Sequence, residues 1–123
     1  MVRSIFFALA AVLSVPTASL ARDLVTPAVY VGTDTIAECK LLNFTSAPVQ
    51  AHVQLIEAWT GTVLAENGPT PLAAQAAFQA VKLYPGTTVF CRFINASSSK
   101  FRGALIEIVP GGDSTETNVV PAQ

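Results

Sequence analysis

Apolar and polar residues alternate along most of the chain after residue 24, at the two-residue period of a β-strand with one wet face. The clearest run is 49–55, where Val49, Ala51, Val53 and Leu55 face one way and Gln50, His52 and Gln54 the other. Ile56 to Trp59 carries it into Thr60-Gly61, a hairpin signal because glycine tolerates positive φ, and Thr62-Val63-Leu64 returns as a short partner. Upstream, 35–44 sets Ala37, Cys39 and Leu41 against Glu38 and Lys40. Downstream, 87–95 puts Val89, Cys91 and Phe93 inward and Arg92 outward. The run 101–109 places Ala104, Ile106 and Ile108 on one face against Arg102 and Glu107, with Leu105 out of phase. Leu24 to Gly32 predicts a first strand at a sheet edge, or split, since Pro27 has no amide hydrogen for a ladder.

Three stretches are less regular. Leu72 to Tyr84 is rich in helix-forming Ala and Gln, and Thr70-Pro71 would begin a helix well. The same segment also fits a strand with Ala77, Val81 and Leu83 on one face, and the strand is preferred because every neighbouring element is β. Glu66-Asn67-Gly68-Pro69-Thr70-Pro71 reads as loop, and 111–123, without periodicity, as a disordered C-terminal tail. Turn chemistry recurs at Gly32-Thr33-Asp34, Thr45 to Pro48 and Pro85-Gly86, and Asn95 to Lys100 reads as a flexible hairpin loop. About seven short strands with a turn signal after nearly every one predict an all-β, immunoglobulin-like antiparallel sandwich over 22–110.

The beginning of the chain changes the setting. Arg3 gives a short basic start, Ile5 to Val15 is an apolar run, and Ser19 and Ala21 supply the small residues of a signal-peptidase site, so 1–21 reads as a cleaved signal peptide. The apolar run is too short for a membrane span, which needs about 20 residues, and no second one is longer. The expected location is therefore secreted or periplasmic. Without Arg3, six basic residues oppose eight acidic ones, and no basic cluster exists to hold nucleic acid or a membrane surface. The chain is 51% hydrophobic and 12% charged, which suits a packed core and not a disordered polymer.

Two cysteines on an exported chain point to one disulfide, Cys39 to Cys91. A metal pair or a reactive thiol are the alternatives, but there is no Cys-x-x-Cys and a single histidine. In an immunoglobulin-type order, the second and penultimate strands lie in opposite sheets and the bond crosses the core.

The pattern Cys39-x-x-x-Asn43-x-x-x-x-Pro48-Val49, Val53-x-Leu55 and Gly61-x-Val63-Leu64 continues into Pro85-Gly86, Phe90-Cys91-Arg92-Phe93 and Arg102-Gly103-Ala104-Leu105. It resembles small exported bacterial proteins with a single immunoglobulin-like domain, many without assigned function. Trp59 lies too far after Cys39, and Val89 stands where a tyrosine corner would want Tyr, so the resemblance is to the sandwich and not to antibodies. It implies no activity.

Catalytic chemistry is scarce. His52 reads as a surface residue, no Gly-x-Ser-x-Gly is present, and Glu38, Glu57, Glu66 and Glu107 are scattered. Asp113 to Glu116 is too sparse for calcium, Gly111-Gly112 has no strand-to-helix setting for phosphate, and no cofactor or metal is expected. Asn43-Phe44-Thr45 and Asn95-Ala96-Ser97 match the glycosylation sequon, though Asn, Ser and Thr are ordinary turn residues. Trp59, Phe90 and Tyr84 are expected to pack in the core or fill its ends, and an exposed one would be a candidate anchor.

What remains is surface. The loops carrying Thr45, Ser46, Asn95, Ser97, Ser98 and Lys100 are expected at one end of the sandwich, as candidate recognition loops. The expected function is a monomeric, non-enzymatic binding or structural module for an unknown protein or cell-envelope partner. The alternatives are a subunit of a fimbrial-type assembly joined by strand addition, and a protease inhibitor inserting Glu66 to Pro71.

Overall fold

The computed structural model describes residues 23–110 and 115–123. The expected leader, with Ser19 and Ala21, lies outside them. Nine strands follow in order: β1 (Leu24–Val25), β2 (Val29–Val31), β3 (Ile36–Asn43), β4 (Val49–Glu57), β5 (Val63–Leu72), β6 (Ala77–Leu83), β7 (Thr87–Phe93), β8 (Phe101–Val109) and β9 (Thr115–Pro121). They form two antiparallel sheets packed as a sandwich. One runs β1-β7-β4-β5, with β2 also on β7; the other runs β6-β3-β8-β9.

The inward sets of β3, β4 and β7 are those that alternation predicts. Ala37, Cys39, Leu41, Val53, Leu55, Val89, Cys91 and Phe93 are all essentially excluded from solvent. Cys39 on β3 and Cys91 on β7 are joined between the sheets, their Cα atoms 5.6 Å apart. Pro27 divides the edge, as its missing amide requires: β1 and β2 pair separately with β7, and the intervening Thr26 both donates to the Cys91 carbonyl and accepts from its amide.

Elsewhere the structure corrects the reading. Glu66 to Pro71 is not a loop but the second half of β5, paired with β4 across a bulge between Ala51 and Val53. An edge strand tolerates its prolines, whose amide-free side needs no partner. Gly68, at φ +97°, lies with its backbone against the Ala51 carbonyl, where a Cβ could not fit. The C-terminal tail is ordered over 115–123, where β9 pairs with β8; 111–114 lie outside the described residues. Residues 77–83 form a strand, but its core face is Phe78 and Ala80, while Ala77, Val81 and Leu83 turn outward. On β8 the phase is also inverted: Leu105 is fully buried in the core, and Ala104, Ile106 and Ile108 share the outward face with Arg102. Gly103 is inward too, since a Cβ there would stand 2.6 Å from the Phe93 ring.

The segment 95–100 does not close a hairpin. It crosses from β7 in one sheet to β8 in the other, where β8 pairs with β3 and β9. The pairings give a two-sheet antiparallel sandwich in which β7 and β8 lie in different sheets, and they do not by themselves establish an immunoglobulin-like topology. The sandwich is instead laced at one edge by Val25 and Gln123, which exchange both backbone hydrogen bonds at 3.1 Å.

Candidate recognition surface

The crossing connection has a consequence for position. Because β3 and β7 both end at the same end of the sandwich, the segments that follow them, 44–48 and 95–100, emerge together. Phe44 N–H donates to the Lys100 carbonyl at 3.2 Å. A third segment, 73–76 between β5 and β6, joins them: Gln75 Nε2 donates to the Phe44 and Thr45 carbonyls, both at 3.1 Å.

Asn43 is the knot. Its side chain is completely buried at the end of β3. Nδ2 lies within reach of the Ala47, Leu72 and Ala73 carbonyls at 2.9, 3.1 and 3.2 Å. Oδ1 accepts from the Thr45 amide at 3.0 Å and the Thr45 hydroxyl at 2.7 Å. A glycan on Asn43 is incompatible with this burial; Asn95, the other sequon, is exposed at φ 56°. On the far side, Asp23 accepts from Asn95 N–H at 2.9 Å and Arg92 Nε at 2.7 Å. Partial burial pushes the Asp23 carboxyl up, but the Asn95 amide and Arg92 guanidinium outweigh it and hold the group below its ordinary value. Arg102 lies 4.4 Å over the Phe44 ring and donates to the Ser98 carbonyl at 2.6 Å.

Thr45 and Ser97 thus serve inside the end: the Thr45 hydroxyl is held by Asn43, and the Ser97 carbonyl accepts from Lys100 and Phe101. Ser46, Asn95, Ser98 and Lys100 are exposed. The result is a hydrogen-bonded polar ledge carrying Lys100, with Arg102 beside it. Sequence reasoning placed the two loops but missed Gln75 and the central part of Asn43, which local sequence presents as one more turn asparagine.

The opposite end carries the β4–β5 turn. Glu57 Oε2 accepts from the Thr60 hydroxyl and amide at 2.6 and 2.8 Å, and Oε1 from the Trp59 amide and Thr87 hydroxyl at 3.1 Å each. The Thr60 hydroxyl, together with the Thr60 and Trp59 amides and the Thr87 hydroxyl, outweighs desolvation and lowers the Glu57 pKa. A lowered folded value means that its contribution is intact above the ordinary value of 4.5 and is lost as pH falls through the depressed one. The backbone NMR shifts of Trp59 and Thr60 should titrate together with a midpoint below 4.5, and Glu57→Gln should abolish that step. A midpoint at or above 4.5 would refute this account of the turn. Trp59 itself is 79% exposed, and Tyr84 too stands in solvent, contrary to the expectation that they pack; Phe90 is half-buried.

On the outer face of the β1-β7-β4-β5 sheet, His52 Nε2 is 2.5 Å from Glu66 Oε2, to which Gln54 Nε2 also donates at 2.8 Å. Hydrogen bonding from His52, then Gln54, holds the Glu66 carboxyl below its ordinary value. This is an imidazole–carboxylate pair lying on a strand face and tied to the Gln54 amide. Among the described residues no group of three or more His, Cys, Asp or Glu is placed to hold a metal ion. No helix there is long and apolar enough to cross a membrane.

Compared with known proteins, the chain matches no family model, no curated sequence and no solved structure.

Proposed function

We propose that the protein is an exported, non-enzymatic binding module that engages a protein or cell-envelope partner through the loop end of the sandwich. The observation that carries this reading is the Asn43 knot, which ties the 44–48 and 73–76 segments together, while Phe44 N–H joins them to 95–100 through the Lys100 carbonyl, making one polar surface. Loops held on a rigid scaffold lose little freedom on binding, which favours recognition there. Export is supported by the signal-like leader and by a disulfide, which persists in oxidising compartments. The inhibitor alternative loses its rigid loop, since 66–71 is paired within β5. Strand addition is less well supported, because β8 is flanked on both sides.

Affinity capture with the exported chain under oxidising conditions tests the reading. A specific partner should be retained, and Ser98→Arg combined with Lys100→Glu should release it. Recovery of background alone, or a partner indifferent to both substitutions, would count against the loop end.

A further inference from the structure

We infer that the outer face of the β6-β3-β8-β9 sheet is the interface of a two-fold dimer, its occupant a second copy of the same face. The inference is independent of the loop-end reading and replaces the monomer expected from sequence.

The register defines the face. Residues directly opposite in an antiparallel ladder point to the same side, so outward rows run Leu83–Ile36–Ile108, then Val81–Glu38–Ile106–Val119, then Gln79–Lys40–Ala104–Pro121, then Ala77–Leu42–Arg102. Apolar side chains dominate the first two rows. Leu83, Val81, Val119 and Leu42 are 56, 40, 51 and 38% exposed, whereas outward-facing Ile106 is only 6% exposed in the single chain. A shallow depression of about 190 Å³ sits among Lys40, Leu42, Arg102 and Ile106. The other sheet's outer face is more mixed, with Gln50, His52, Gln54, Glu66 and Arg92 beside Val25, Tyr30, Ile56 and Phe90.

Two arguments select a second copy. The first is charge. Glu38, 8% exposed, has its counter-ion in Lys40 at 3.5 Å, and Arg102 is tied to the Ser98 carbonyl and the Phe44 ring. Among the described side chains, the charges of the face are thus engaged by their own neighbours. A charged partner finds little to pair with, whereas an identical face, largely apolar over its Leu83 and Val81 rows, requires no new counter-ion. The second is area. Four strands about 4.8 Å apart, with same-face rows about 6.8 Å apart, give a face on the order of 500 Å². Two such faces in contact bury on the order of 1,000 Å², which reaches the lower bound of specific interfaces. Exposed apolar patches of a few hundred Å² mark contact surfaces, and sheets pack face to face about 10 Å apart. An isologous two-fold contact closes on itself and leaves both loop ends free.

Sedimentation equilibrium of the exported chain at about 100 μM, well above a micromolar Kd, should return twice the chain mass. Val81→Lys with Val119→Lys should return a single-chain mass with an unchanged circular dichroism spectrum. Should that variant fold poorly, Leu83→Lys at a more exposed position is expected to weaken dimerisation at least tenfold. Trp59→Ser, on the β4–β5 turn away from this face, should leave the dimer intact. A single-chain mass for the unmodified protein overturns the inference, whatever covers the face. So does a dimer indifferent to the face substitutions or lost with Trp59→Ser. None of these masses depends on whether the loop end captures a partner.

Discussion

Replacing both cysteines, Cys39→Ala with Cys91→Ala, is expected to lower the unfolding free energy by about 4 kcal/mol. The bond closes a loop with a sequence separation of 52, and loop-closure entropy in the unfolded chain sets that figure as an upper value. It is a large share of the 5–15 kcal/mol that a domain of this size typically has in total. Both sulfurs lie in the core, between Leu41, Val53, Leu55 and Val89 in the same buried cluster, so truncation also removes packing. The double substitution is preferable to a single one, which would leave a buried thiol free to react. Urea unfolding of the oxidised protein, the double variant and the protein in reductant should place the last two together, well below the first. A double variant within about 1 kcal/mol of the oxidised protein would show that this link contributes little to the fold.

Asn43→Ala should cost about 3 kcal/mol, because one truncation strips partners from several groups at once. The Leu72 and Ala73 carbonyls and the Thr45 amide all lose a contact, that to Leu72 fully buried and the other two partly so. Asn43→Asp is more diagnostic. Its ionised carboxylate would face three carbonyls that Nδ2 now approaches, which favours the protonated form and raises the folded-state pKa. By linkage the variant gains stability, relative to the original protein, as pH falls, and loses it as pH rises through that raised value. This is opposite in sign to the behaviour of Glu57. Chemical denaturation from pH 7 down to about pH 4 separates the two. A stability difference that does not change with pH would refute the proposed role of Nδ2 as donor.

The sequence revealed strands where one side is wet and hid them where it is not. On β4, Gln50, His52 and Gln54 mark the outside and the inward set follows. On β8, Leu105 and Ile106 are adjacent and both buried, one in the core and one on the outer face, so alternation carries no direction and the phase came out inverted. The same ambiguity concealed the apolar outer face, because its side chains had been assigned to the interior. The second half of β5, and β9, escape the pattern for another reason. An edge strand needs few buried side chains, so Gly-Pro-Thr-Pro and Thr-Glu-Thr-Asn show no hydrophobic rhythm. The loop end was legible in outline, since turn residues announce themselves. Its knot was not, because Asn43 acts through Leu72 and Ala73, some 30 positions away in the chain.

The pairing of Val25 with Gln123 bears on how the domain would carry tension. Pulled from residues 23 and 123, these antiparallel partners separate like a zipper, one bond at a time, and not by shearing many together. Once they part, the load follows the chain to Cys39, passes through sulfur to Cys91 and continues to the end. Residues 40–90, including the loop between β3 and β4, lie outside that path and feel no pull along their backbone.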